Sequence, residues 1–370
     1  MKRVIKTIIS ILTVSILISL FVSCNNSSGN TYLAKTPNKE KFEKVKKDLN
    51  DYFDKYYGDS FSGSILIASY GEVLFTKGYG MADYENKIPN TPDTAFNISS
   101  LTQQFTSMGI MILSDKGLLG INDSLGKYIP GIDHGDEITI QQLLSQTSGI
   151  DDSIYEQGIF DNMDRGRTIA EIIKSLKGKK FKLGDQPGKF FYDCNINYFL
   201  LGYIIEKLSG QSYEDFIEQN IFKPLEMNNS GYYHNTLPNE NYAVGYSIID
   251  PEPVKVDVND IKYTYPAVGM YSSVEDLYKW DQALYTDKLI KKETLDKIFA
   301  RHINGYSFGW HMADDKDCII SQIEGMGNGT NTFIIRYIGK NQLIVLLSNE
   351  GGGIKVSPIP YIERVFKELE

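Results

Sequence analysis

Cysteine and histidine are scarce in this chain of 370 residues, which has only three cysteines and four histidines. The histidines stand singly along the sequence, and no cysteine cluster has the spacing of a zinc site. We therefore expect neither a bound metal nor a cofactor. So few cysteines also make no disulfide framework, and Cys194 and Cys318 are predicted to be buried thiols outside any disulfide.

The chain also has no excess of positive charge. The chain has 38 lysines and arginines against 47 aspartates and glutamates, which gives a net charge of −9. This balance argues against nucleic acid as the main partner. A group of lysines over residues 174–182 is interpreted as a solvated loop. With 42% apolar residues, the composition is that of a globular protein with one large domain or two interleaved lobes.

Long apolar runs are confined to the beginning of the chain. Basic residues precede an apolar run over residues 7–22, which is short for a membrane span of roughly 20 residues and predicts a signal peptide over residues 1–23. The end of this run resembles a bacterial lipobox, so we expect Cys24 to carry lipid. Membrane lipid would then be a partner and the protein would lie on the extracellular face of the bacterial cell membrane. An uncleaved anchor is the alternative, and the small polar residues 24–38 predict a tether.

Strand-like segments lie at both ends of the remaining chain, with helical segments between them. Apolar residues at helical spacing predict a helix that begins near Phe42, and two strand-like runs around Tyr70-Gly71 predict a hairpin. Three more strands and a final helix are predicted after residue 318. The pattern favours an α+β fold in which both chain ends build one antiparallel sheet. The predicted bounds are a sheet lobe of residues 39–95 and 262–370 and a helical lobe of residues 96–261.

Residues 96–106, with the sequence FNISSLTQQFT, resemble the nucleophile segment of the serine β-lactamase and penicillin-binding protein family. The similarity is closest to the branch of class C β-lactamases, D-alanyl-D-alanine carboxypeptidases and esterases. It extends from about residue 60 to residue 350, with supporting segments at residues 77–80, 128–130, 143–149 and 268–277. The resemblance implies a five-stranded antiparallel sheet flanked by helices beside an all-helical lobe, with the active site in the cleft between.

In this family a serine begins a helix and a lysine follows three residues later, so that both side chains share one helix face. The lysine helps to remove the serine proton, and the serine attacks a carbonyl to form an acyl-enzyme. The resemblance assigns Ser100 to the serine position, but the lysine position holds Gln103. A neutral amide cannot hold a transferred proton near neutral pH.

Two further motifs depart from the family pattern. Matching Asn195 to the Tyr-x-Asn motif places Asp193 at the tyrosine position, although a shift by one residue would place Tyr192 there. The resemblance makes Asn195 a contact for a substrate amide. Asp193 is interpreted as a tolerated polar residue, with a role as base for Ser100 as the alternative.

The third motif, a Lys- or His-x-Gly on the cleft strand, reads Ile323-Glu324-Gly325. Ile323 can neither bind a carboxylate nor relay a proton. The resemblance implies that Gly325 leaves the strand open for a substrate carbonyl and that the Met326 N–H is an oxyanion donor beside the N–H of Ser100. Gln146 replaces a histidine at a position interpreted as structural.

Two functional hypotheses follow. The favoured one is a lipid-anchored surface protein with a penicillin-binding-protein-like fold that is catalytically impaired and binds cell-wall peptide, a small acyl ligand or a protein in the old cleft. The alternative is an active serine hydrolase of esterase, D-peptidase or β-lactamase type, which forms an acyl-enzyme at Ser100 with Asp193 or Tyr192 as an unusual base. The sequence predicts no oligomeric state.

Overall fold

The structure is a computed structural model that describes residues 38–58, 60–151, 153–154, 168–232, 241–249, 252–256, 265–313, 318–323, 329–351 and 357–370. The predicted signal peptide, Cys24 and all of the predicted tether except Asn38 lie outside the described residues. Within the described ranges, no helix is long and apolar enough to cross a membrane. Residues 34–370 form one compact unit.

Helices make up the middle of the described chain and both of its ends. The helices are α1 (Lys39–Tyr57), α2 (Thr102–Asp115), α3 (Leu125–Tyr128), α4 (Ile140–Leu144), α5 (Ile169–Leu176), α6 (Asn195–Ser209), α7 (Tyr213–Ile217), α8 (Lys223–Leu225), α9 (Tyr265–Val268), α10 (Val274–Ala283), α11 (Lys292–Ile298) and α12 (Ile359–Glu368). The strands are β1 (Gly63–Ser69), β2 (Glu72–Tyr79), β3 (Met81–Asp83), β4 (Ile88–Pro89), β5 (Phe96–Asn97), β6 (Gly231–Tyr232), β7 (Tyr246–Ile249), β8 (Glu252–Lys255), β9 (Met270–Ser272), β10 (Tyr306–Ser307), β11 (Trp310–Met312), β12 (Cys318–Ile323), β13 (Asn331–Tyr337), β14 (Gln342–Ser348) and β15 (Glu350–Gly351).

The main sheet is antiparallel and joins the two ends of the chain. Its five long strands lie in the order β12-β13-β14-β1-β2, and Ile65 of β1 pairs with Leu346 of β14. This confirms the α+β fold and the sheet built from both chain ends. Every residue of β1 and β14 is buried, as expected for central strands covered on both faces.

The main sheet has seven strands rather than the expected five, because the short strands β10 and β11 extend it beyond β12. Ser307 pairs with Trp310, so Phe308 and Gly309 form a two-residue turn in which both residues have positive φ, 40° and 91°. A type I′ turn requires this backbone, and the usual Asn-Gly signal is missing from the sequence. The sequence therefore carries no signal for this extension.

Helices α1 and α12 cover the outer face of the sheet. Leu49 and Phe53 of α1 are buried against the same core as Ile362 and Phe366 of α12. Burial of each such side chain contributes roughly 1.5–3 kcal/mol. These two helices confirm the predicted first and last helices, which both present an apolar stripe at helical spacing.

The inner face of the sheet packs on the helical segments, and α2 is the most buried of them, with no exposed residue from Thr102 to Leu113. Phe105 of α2 stacks on Trp280 of α10 with ring centroids 4.4 Å apart.

Beside this core, the guanidinium of Arg336 pairs with Asp281, and both side chains are almost fully buried. The rings of Tyr285, Phe299 and Trp310 surround the guanidinium at 5.0–5.4 Å.

Candidate functional site

Ser100 lies on a single 3₁₀ turn, Ser99–Leu101, which leads directly into α2. The turn begins with Ser99 in the left-handed region at φ 49°, a strained conformation for a residue other than glycine. Two contacts hold it there: the Ser99 N–H donates to Asn97 Oδ1 at 2.8 Å, and Thr102 Oγ1 donates to the Ser99 carbonyl at 2.6 Å. A serine held at the start of a long buried helix agrees with its assignment as the nucleophile position.

The Ser100 side chain is half-buried, and its hydroxyl makes no hydrogen bond to any residue that the structure describes. Strand β12 runs alongside the turn. Its last residue, Ile323, pairs with Thr332, whose hydroxyl donates to the Ile98 carbonyl at 3.4 Å. Ile323 therefore lies on a strand beside the serine turn, while Gly325 and Met326 lie outside the described residues.

Gln103 is buried, with 2% of its surface exposed. Its amide oxygen accepts hydrogen bonds from the Tyr306 hydroxyl and from Gln146 Nε2, the latter at 3.4 Å. Its amide nitrogen has no partner among the described residues. The position expected to hold a lysine therefore holds an amide whose only basic atom is already occupied.

Gln146 connects the first two of the three predicted motif regions. Its Nε2 donates to Asp193 Oδ1 at 2.8 Å, and its Oε1 accepts from the Cys194 N–H at 3.2 Å and from Asn197 Nδ2. The residue itself has a positive φ of 57° and is 1% exposed. The sequence indicated only a structural role here, whereas the structure shows Gln146 joining Gln103 to Asp193.

Tyr192 and Asp193 precede helix α6. Among the described residues, neither makes a hydrogen bond with the Ser100 hydroxyl. The Asp193 carboxylate faces Gln146 instead. Tyr192 is 43% exposed, and its backbone N–H donates to the Gln146 carbonyl at 2.9 Å. Asn195 is the first residue of α6, and its half-buried side chain has no hydrogen bond to a described residue. Of the two candidates for the tyrosine position, Asp193 is the one whose side chain joins the Gln103 network.

Tyr306 is a residue of the site that the sequence did not reveal. Burial raises the pKa of its phenol well above the usual value, and burial also raises the pKa of Tyr198, whose hydroxyl lies 3.3 Å from that of Tyr306. Both phenols are therefore protonated at neutral pH and act as donors. Tyr306 lies in the two-residue strand β10, which is too short to leave a periodic pattern in the sequence.

His311, opposite Tyr306 in the β10–β11 pair, packs edge-on against that ring with centroids 4.9 Å apart. Partial desolvation lowers the pKa of this imidazole below its usual value. Among the described residues, no group of His, Cys, Asp and Glu side chains is arranged to hold a metal ion. Cys194 is buried and lies outside any disulfide.

Comparisons with known proteins agree on one family. A family model described as Beta-lactamase matches residues 49–362. Penicillin-binding protein 4* of Bacillus subtilis is 33% identical over 313 residues, which cover 78% of this chain and 68% of that protein. The crystal structure of FmtA from Staphylococcus aureus superposes with a TM-score of 0.73 at 21% identity and covers 93% of this chain and 94% of that one. A class C beta lactamase gives a TM-score of 0.68 at 22% identity, covering 89% of this chain and 98% of that one.

Proposed function

The chain belongs to the β-lactamase family, together with penicillin-binding proteins, and we propose that it is a lipid-anchored surface member whose cleft binds acyl ligands such as cell-wall peptide without turning them over efficiently. The family is established by the matched model and by the similarity to penicillin-binding protein 4*. The loss of turnover and the anchor are the parts that require experiment.

The observation that carries the proposal is the environment of the Ser100 hydroxyl. Acylation needs a group that takes the serine proton as the hydroxyl attacks. Gln103 stands where the family has lysine, and its amide oxygen is occupied by Tyr306 and Gln146. General acid–base catalysis contributes about 10²–10⁴-fold in rate, so its loss leaves at most slow acylation.

An active hydrolase with an unusual base is the alternative, and the geometry gives it less support. The Asp193 carboxylate is hydrogen-bonded to Gln146 rather than to Ser100. A carboxylate moved toward Ser100 would also oppose the negative charge that develops on the substrate oxygen. Tyr192, the other candidate base, is 43% exposed, and no hydrogen bond joins it to Ser100 among the described residues.

The described part of the cleft still offers groups that suit binding. The side chains of Ser100 and Asn195 have no hydrogen bond to a described residue and are available to polar atoms of a ligand. Phe190 is 60% exposed and Tyr192 43% exposed, so two aromatic rings stand in the segment just before Asn195. Polar groups beside exposed rings suit a peptide or sugar-linked peptide.

The proposed anchor rests on residues 1–24 of the sequence. A diacylglycerol on Cys24 would hold the protein at the outer face of the membrane, and residues 25–38 would separate the cleft from the lipid. Replacement of Cys24 by alanine is expected to release the protein into the aqueous phase in a detergent partition of expressing cells. Retention of the Cys24→Ala variant in the detergent phase would contradict lipidation at this residue.

Covalent labelling tests the proposed loss of turnover. Purified protein is incubated with a fluorescent penicillin and, separately, with a fluorophosphonate, and the intact mass is measured over time beside Ser100→Ala. We expect no adduct, or one that accumulates over hours, together with saturable binding of an N-acetylmuramyl peptide in calorimetry. Rapid labelling of the wild type that is abolished in Ser100→Ala would overturn the proposal in favour of an active hydrolase.

A further inference from the structure

A cavity of about 400 Å³ lies in the part of the molecule that surrounds α7, apart from the Ser100 cleft. Its walls come from α7, from the turn that follows this helix, and from strands β6 and β9 with the loop before β6. None of the residues of the three sequence motifs lines it. Small-molecule sites in proteins commonly have this volume. The cavity is therefore a candidate binding site in its own right.

One wall of the cavity is a helical stretch with an unusual turn. Residues Glu218–Phe222 form a π-helical turn between α7 and α8. Turns of this kind are rare and frequently occur at functional sites. Glu214, Glu218 and Phe222 follow one another at intervals of four residues, and all three line the cavity. The stretch thus brings two carboxylates and an aromatic ring to the same wall.

Aromatic side chains form the inner side of the cavity. Phe222 and Tyr232 are buried, with 3% and 7% of their surfaces exposed, and their ring centroids lie 6.5 Å apart. Tyr271 adds a third ring, and its hydroxyl lies so close to Gly231 that a Cβ atom at this glycine would collide with it. The faces of aromatic rings attract cations.

Carboxylates dominate the charged part of the lining. Glu214, Asp215 and Glu218 are acidic and Lys223 is basic, so the lining has a net charge of −2. Lys223 Nζ pairs with Glu218 at 2.9 Å, and both side chains of this pair are more than half exposed. Burial raises the pKa of the Tyr271 phenol, and the Glu218 carboxylate raises it further. The negative potential of the acidic residues therefore extends to the aromatic side of the cavity.

We infer that this cavity binds a small organic ammonium compound. The carboxylates of Glu214 and Glu218 attract its positive charge, and the rings of Phe222 and Tyr232 contact its apolar body. A metal ion does not suit the cavity, since among the described residues no group of His, Cys, Asp and Glu side chains is arranged to ligate one. The inference goes beyond the proposed function, because the cavity shares no lining residue with the sequence motifs.

Three probes of one shape test the inference: n-hexylammonium, neutral hexan-1-ol and anionic hexanoate. Each is titrated into the purified protein at pH 7, by calorimetry and by the amide NMR signals of Gly231 and Tyr271. We expect saturable binding of hexylammonium that shifts both signals, binding of hexan-1-ol that is at least about tenfold weaker, and no binding of hexanoate. The affinity for hexylammonium should fall as sodium chloride is added, because salt screens exposed charges.

Charge variants locate the ligand. Glu218→Gln removes one carboxylate and leaves Lys223 without this partner, so hexylammonium should bind about tenfold more weakly while hexan-1-ol changes less than twofold. Lys223→Met removes the competing ammonium and should tighten hexylammonium about threefold, a gain that mere damage to the fold would not produce. Glu252→Gln removes an equal charge from an exposed position of β8 and should leave both affinities unchanged. All three side chains are exposed, and thermal unfolding checks that the variants fold as wild type does.

The inference is overturned if hexylammonium shows no saturable binding or binds no better than hexan-1-ol. A Glu218→Gln variant that binds hexylammonium as well as Glu252→Gln does would also contradict it. Ser100→Ala should bind hexylammonium as wild type does, and weaker binding by this variant would place the ligand in the cleft instead. Labelling of Ser100 by a fluorescent penicillin bears only on the proposed function, so the two proposals can fail separately.

Discussion

The Tyr306 hydroxyl donates a hydrogen bond to the amide oxygen of Gln103, so a residue of a two-residue strand contacts the helix position that the family reserves for lysine. The contact is buried on both sides. It helps to orient the neutral amide that stands in place of the lysine. An amide cannot take the serine proton near neutral pH, whichever partner its oxygen has.

Replacement of Gln103 by lysine is expected to restore acylation. The amine would lie one helical turn from Ser100 in a buried environment, which favours the neutral amine and lets it take the serine proton. We expect labelling by a fluorescent penicillin to become about 10²–10⁴-fold faster than in wild type, measured as labelled fraction against time. The double variant Ser100→Ala/Gln103→Lys is the control and should stay unlabelled. A folded Gln103→Lys variant that remains unlabelled would show that the missing lysine is not the cause of the low activity.

Loss of the Tyr306 hydroxyl is expected to destabilise the fold. Tyr306→Phe leaves the buried Gln103 oxygen with only the longer bond from Gln146, which costs about 1–2 kcal/mol of unfolding free energy. Urea denaturation measures the change. Tyr56→Phe is the matched control, since Tyr56 is 53% exposed and should differ from wild type by less than about 0.5 kcal/mol. Equal stability of the two variants would mean that the Tyr306–Gln103 bond contributes nothing.

Gly309 allows the β10–β11 turn to approach the start of α2. A Cβ atom at Gly309 would lie 2.7 Å from the backbone nitrogen of Gln104, and the residue has φ +91°. Gly178 also has a positive φ, +76°, but nothing lies within 4 Å of its Cβ position. Gly178→Ala is expected to cost about 1 kcal/mol for the backbone alone, and Gly309→Ala at least about 2 kcal/mol because the clash adds to it.

The same pair of glycine variants also reports on the cleft. Since the clash at Gly309 would push on the backbone beside Gln103, Gly309→Ala should shift the amide NMR signals of residues near Ser100, whereas Gly178→Ala should not. Equal unfolding free energies for the two alanine variants in urea would show that the turn yields without cost.

The buried Arg336–Asp281 pair is expected to be a major determinant of stability. Asp281→Asn removes the counter-charge from a guanidinium that is almost fully buried, and breaking a buried pair in this way costs about 3–5 kcal/mol. The exposed pair Lys47–Asp51 provides the comparison, and Asp51→Asn should change the stability far less, because solvent screens this pair. Chemical denaturation of both variants measures the difference. A cost below 1 kcal/mol for Asp281→Asn would mean that water reaches the guanidinium.

The elements with an apolar pattern were predictable from the sequence. Helix α6 shows how this works: Ile196, Phe199, Leu200 and Ile204 stand at helical spacing in the sequence, and Gly210 follows the helix in the left-handed conformation at φ 72°. The outer helices α1 and α12 and the long strands follow the same logic. By contrast, β10 and β11 are too short for any period, and their turn places a phenylalanine at a position with positive φ.

The candidate site was predictable only in part. Ser100, Gln103, Asp193 and Asn195 are assigned by resemblance, because short motifs keep their spacing along the chain. The network that gives these residues their chemistry depends on Gln146 and Tyr306, and its polarity is set by backbone amides such as that of Cys194. Such long-range contacts between donors and acceptors leave no mark in the local sequence, so their arrangement had to come from the structure.

The pairing of β1 with β14 has a consequence for how the molecule is made. Strand β1 leaves the ribosome long before its partner β14. The centre of the sheet therefore stays incomplete until β14 has been synthesised, and closing so long a loop slows folding. Until then β1 lacks its partner, and the growing polypeptide is exposed to chaperones and proteases.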